Sequence, residues 1–165
     1  MSSSTSRDPV ARRARWLVIG ATLLWSGLCA ALHRAGHVPS GPTPVAGWYG
    51  VQAVLLWAVL PLQCWLVGRI VGRVTRLAEA GRPIGVEAFA TTVLCFVLSD
   101  IAAWMAVGFD ELGRVLRWSA PAALIVGLGR GVLLLRARSV GPGRALAALL
   151  LGFLVAAVVG GPFLR

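Results

Sequence analysis

The chain has 165 residues, of which 58% are apolar and 13% charged, against roughly 45–50% and 25% in water-soluble domains. One domain of this size cannot hide that much apolar surface from water, so a soluble globule is excluded and lipid is the expected solvent. The net charge of +10 is carried by arginines at the ends of apolar runs, which reads as a membrane-topology signal and argues against nucleic acid as the partner.

Residues 1–15 are polar, rich in Ser and Arg, and expected to form a disordered cytoplasmic segment. The first apolar run, at about 16–32, has the basic flank of a signal peptide. Cys29-Ala30-Ala31 is a poor cleavage site, however, and the run is expected to be retained as a helix. Pro39, Pro42 and Pro44 mark an exposed loop. The second run, about 48–67, contains Gln52, Gln63 and Pro61, and the proline is expected to kink it. Residues 68–86, with Arg69, Arg73, Arg76 and Arg82, read as a loop or interfacial turn. A third run covers about 88–108. A short polar stretch leads to the fourth, about 118–135, with Pro121 in its first turn. Gly141-Pro142-Gly143 is a turn signal, and the last run covers about 145–163.

The runs are too long for the period-two strands of a barrel, and helices satisfy their own backbone groups in lipid. The expected fold is therefore all-α: one multi-pass transmembrane helical bundle of about five helices, with sequential helices antiparallel. Arginine placement orients it. Eleven arginines fall on the side of the N-terminus (Arg7, Arg12, Arg13, Arg15, Arg69, Arg73, Arg76, Arg82, Arg136, Arg138, Arg144) and four on the other (Arg34, Arg114, Arg117, Arg165). The N-terminus is expected in the cytoplasm, the C-terminus outside, and the chain in the cell membrane. All basic residues being Arg, amid abundant Ala, Gly, Val and Leu, suggests a bacterial, GC-rich origin and hence an inner membrane. Trp48, Tyr49, Trp104 and Trp118 fall near the expected outer interface and Trp16 near the inner one, where an aromatic ring has one apolar and one wet end.

Few residues invite chemistry. Asp100 lies inside the third run, where a charge costs at least ~2.5 kcal/mol. Arg130, inside the fourth run, is the expected partner. Counted from the starts of their runs, the two differ in depth by only about 6 Å. Such a pair either fixes helix register or lines an ion or proton path. Gln52 and Gln63, three turns apart, suit interhelical hydrogen bonds, and Gly127 and Gly131 have the small-xxx-small spacing of close helix packing. His33 and His37 have no third ligand at metal spacing, and Cys29, Cys64 and Cys95 form no pair motif. No metal, cofactor or catalytic set is expected.

Between about 48 and 159, Trp48-Tyr49-Gly50-Val51-Gln52 opens a long apolar helix containing Pro61. An Arg/Gly-rich loop, Phe89 at the next helix start and two closely spaced final helices follow. In these features the chain resembles bacterial Yip1-domain proteins, which implies a small five-helix membrane protein. The Asp-Leu-Tyr-Gly-Pro motif of eukaryotic members is absent, and the paired-Gly loop of bacterial members appears only as Gly81 and Gly85. The family's GTPase-binding role is therefore not implied. The expectation is a non-enzymatic membrane scaffold or interaction protein. Its partners would be the bilayer with its anionic lipids, and itself or another membrane protein. The alternative is a small transporter or channel subunit with a polar path at Asp100 and Arg130.

Overall fold

A computed structural model describes residues 9–34, 45–107 and 112–160; within these, the side chains of residues 25, 28–34, 45–56, 103–104, 107 and 112–117 lie outside the description. The described residues form five α-helices: α1 (Pro9–Arg34), α2 (Val45–Thr75), α3 (Ala78–Val107), α4 (Leu112–Arg136) and α5 (Pro142–Gly160). Among the described residues, three segments are long and apolar enough to cross a membrane: Ala78–Ala102, Trp118–Arg136 and Pro142–Gly160. The chain is an all-helical membrane protein.

Several boundaries differ from those of the apolar runs. α1 starts at Pro9, not at residue 16. Proline at the first helical position has no amide to leave unsatisfied, and Val10 and Ala14 are buried, so packing holds this turn. Residues 68–86 are not a loop. α2 runs on to Thr75 and α3 starts at Ala78, with only Arg76 and Leu77 between them. Glycines make this hairpin possible, because Gly68 and Gly72 on α2 meet Gly85 and Gly81 on α3. A Cβ on Gly81 would lie 2.9 Å from the Gly72 Cα, and one on Gly85 3.1 Å from the Gly68 Cα. α2 also continues on both sides of Pro61, which lies inside it.

α3 is the central helix, packed against α1, α2 and α4, while α5 packs on α2 and less extensively on α4. The core runs through Leu60, Val67 and Val71 of α2, Ile84, Ala88 and Phe89 of α3, Leu135 of α4, and Leu149 and Phe153 of α5. Phe89 and Phe153 meet edge to face at 5.2 Å. α5 shows the solvent this fold is built for. Ala148, Gly152, Ala156 and Gly160 point inward at every fourth residue, while Leu146, Leu150, Leu151, Leu154 and Val158 point outward. An inner face of mostly small side chains, beside Leu149 and Phe153, and an outer face of large apolar ones suit lipid, where helices associate by close backbone approach.

α4 ends in a Schellman turn. The Val140 amide donates to the Leu135 carbonyl at 3.1 Å and the Ser139 amide to the Arg136 carbonyl at 2.9 Å. Ser139 takes the left-handed conformation (φ 63°), and Val140 and Leu135 both join the core.

Candidate functional site

The polar residues inside the bundle are few, and each described one touches another helix or its own. Thr22, Thr75, Thr91, Thr92 and Ser99 donate to carbonyls one turn back, satisfying their hydroxyls without water. Gln63 is buried and its Nε2 donates across helices to the Ala156 carbonyl of α5 at 2.8 Å. Gly160 lies against the same amide group. The side chain of Gln52, His37 and the side chain of His33 lie outside the described residues.

Asp100 and Arg130 do not pair. Asp100, which is buried, accepts a hydrogen bond from the Ser119 hydroxyl of α4 at 3.2 Å. Arg130 instead grips Glu87 of α3: its Nε and Nη2 donate to Glu87 Oε1 at 3.1 and 2.9 Å. The antiparallel register of α3 and α4 keeps the two apart. Asp100 faces Ser119, Thr92 faces Gly127 and Ala88 faces Gly131. From Ser119 to Arg130 is eleven residues, about 16 Å along α4. The starts of the apolar runs were the wrong depth markers, since α3 and α4 both begin well before them.

Glu87 is the residue that sequence reasoning missed. It stood in the gap between a supposed loop ending at 86 and a run starting at 88. Its environment, Ile84-Gly85-Val86-Glu87-Ala88-Phe89, is the signal that was available: one acid in an apolar stretch. Its side chain is 2% exposed. Besides Arg130, it faces Arg13 of α1, with Nε 3.9 Å from Oε2, an oxygen that accepts no hydrogen bond. One carboxylate thus joins α1, α3 and α4. Glu87 and Asp100 are thirteen residues apart, about 20 Å along α3, with Ala90 and Val97 among the buried apolar residues between them. Two carboxylates at that separation do not form a proton relay.

Gly127 and Gly131 lie in the α3–α4 contact. A Cβ on Gly127 would collide with Thr92 Oγ1 and come within 2.7 Å of the Ala88 carbonyl oxygen; one on Gly131 would come within 2.8 Å of Ala88 Cβ and 2.7 Å of Leu149. Among the described residues, no three His, Cys, Asp or Glu side chains gather in a way that could hold a metal.

The arginine-bearing segments share one end of the bundle. Arg144, at the start of α5, donates to the Val74 carbonyl near the end of α2 at 2.8 Å. Arg13, near the start of α1, reaches Glu87, and Arg69, Arg73, Arg76 and Arg82 surround a cleft at the α2–α3 turn. This end carries most of the molecule's positive charge. No family model, curated protein or solved structure matches the chain, and none of the three comparisons identifies the Yip1-domain resemblance.

Proposed function

We propose that the protein is a five-span membrane scaffold, non-enzymatic, with its arginine-rich end in the cytoplasm, working through contacts with another membrane protein or a second copy of itself. The observation that carries this reading is the use made of buried polarity. Glu87 ties three helices together, Asp100 ties α3 to α4, and Gln63 ties α2 to α5. These three residues thereby help to rigidify the bundle and leave its outer surface to make contacts. The positive end supports the orientation, because arginines in short loops are retained on the cytoplasmic side. Placing α1 and α2 across the bilayer is supported by their packing along α3, one of the three apolar segments. The alternative, a small transporter or channel subunit, places Asp100 and Arg130 on one polar path, whereas Asp100 engages Ser119 and Arg130 engages Glu87.

A photo-reactive amino acid at Leu154, which faces outward on α5, tests the scaffold reading in native membranes. A discrete crosslinked protein, a second copy or a defined partner, is the expected product. Recovery of lipid and random neighbours alone would contradict it.

A further inference from the structure

The α2–α3 hairpin holds a cleft of about 210 Å³ whose lining includes the guanidinium-bearing side chains of Arg69, Arg73, Arg76 and Arg82. Among the described residues only Arg82 of these four meets a carboxylate, that of Glu79 at 3.1 Å, and Glu79 is itself exposed. Four like charges around one cavity repel one another, and an anion between them relieves that repulsion. The first turn of α3 starts at the same place, with Ala78 in the lining; its Ala80 and Gly81 amides donate to the Leu77 carbonyl at 2.8 and 3.4 Å, and it brings the positive end of the helix dipole to the cleft. Gly72 forms part of the floor: a Cβ there would lie 2.7 Å from the Ala78 carbonyl oxygen and 3.2 Å from Arg82 Cγ.

A second observation, on the same ridge of α2, identifies the rest of the ligand. Trp65 lies one turn before Arg69, is 52% exposed, and carries the Arg69 guanidinium 4.9 Å above its ring. An outward tryptophan with a cation on its face belongs at the membrane–water interface, the depth of lipid phosphates. From Trp65 onward into the bilayer runs an apolar groove of about 470 Å³ between α1 and the hairpin, with Ala14, Arg15, Pro61, Cys64 and Val86 among its walls. Trp65 lines the groove, and Arg69, one turn further along α2, lines the cleft. Polar cleft and apolar groove therefore lie one turn apart along α2.

We infer that this is a binding site for one anionic phospholipid: the phosphate sits among Arg69, Arg73, Arg76 and Arg82, and an acyl chain lies in the groove beside Trp65. The inference rests on the membrane-spanning reading above and goes beyond the diffuse attraction of basic loops for anionic lipid.

The test is native mass spectrometry of purified, delipidated protein titrated with dioctanoyl-phosphatidylglycerol, dioctanoyl-phosphatidylcholine and glycerol 3-phosphate. One phosphatidylglycerol per chain should bind in preference to both others. The Arg69→Gln/Arg73→Gln double variant should weaken it about tenfold or more. The Arg136→Gln/Arg138→Gln double variant removes the same charge from the same end and should stay within about twofold, since charges outside the cleft are screened. Arg76→Gln gives the same direction with a smaller loss, and serves if the first double variant does not fold. Equal weakening in the two double variants would reduce the site to general surface attraction and overturn it. Glycerol 3-phosphate binding as tightly as the lipid would exclude the groove, and phosphatidylcholine binding equally would exclude the arginines. Alkaline carbonate extraction separates the two levels of failure. Protein that stays in the membrane pellet but binds no lipid selectively overturns this site alone, whereas protein released from the membrane overturns the membrane reading.

Discussion

Glu87 and Arg130 show how burial makes two ends of one ion pair unequal. Glu87 is 2% exposed, whereas the Arg130 side chain is 40% exposed. Arg130→Gln leaves a buried carboxylate with only the distant Arg13, and a loss of roughly 3 kcal/mol is expected, the scale of a broken buried pair. Glu87→Gln keeps an acceptor oxygen for Arg130, whose long side chain is also free to reach toward the polar end of the bundle, so a loss of about 1 kcal/mol is expected. The double variant should be more stable than Arg130→Gln alone. Thermal unfolding of all three in one detergent checks this, and simple addition of the two single losses would refute the pairing. Ser139 offers the opposite sign. Its left-handed backbone costs nothing to glycine, so Ser139→Gly should stabilise by about 0.5–1 kcal/mol in the same assay. At this scale the sequence shows that a charge inside an apolar run needs company. It does not show which company, because partner choice depends on a helix register that only packing fixes.

At the scale of helices, glycine has two opposite roles in α4. Gly127 is pressed against Thr92 and the Ala88 carbonyl, while Gly129 meets nothing within 4 Å. Gly127→Ala should push α3 and α4 apart and cost about 1–3 kcal/mol, the range for overpacking a tight contact. Gly129→Ala should gain up to about 1 kcal/mol of helix propensity. Comparing the two unfolding midpoints tests the packing directly, since the same chemical change is made two residues apart; equal effects would mean that the helices do not approach this closely. The turn at Gly141-Pro142-Gly143 was legible because it combines a breaker with the first position of a new helix, and α5 indeed starts at Pro142. The α2–α3 hairpin was not legible. Gly68, Gly72, Gly81, Gly85 and Pro83 carry the composition of a loop, yet two facing glycine pairs let the helices touch and continue to a two-residue connection. The inward row Ala148, Gly152, Ala156, Gly160 had a clear fourfold spacing in the sequence, and reading it would have identified the buried face of α5.

For the whole molecule, an apolar composition with arginines at run ends is enough to indicate a helical membrane protein, because lipid admits few alternatives to a helix. The candidate site was less legible, since Glu87 and the arginine cleft draw on four helices, α1 to α4. The proposed topology requires the arginine-rich end to face the cytoplasm and the α3–α4 connection to lie on the far side of the bilayer. Single cysteines at Arg138, in the α4–α5 turn, and at position 111, between α3 and α4, decide the matter in a background where Cys29, Cys64 and Cys95 are replaced by Ala. In intact cells a membrane-impermeant maleimide should label position 111 and leave position 138 unlabelled until the membrane is opened. Labelling of position 138 in intact cells, or of both positions equally from one side, would contradict the proposed span across the membrane.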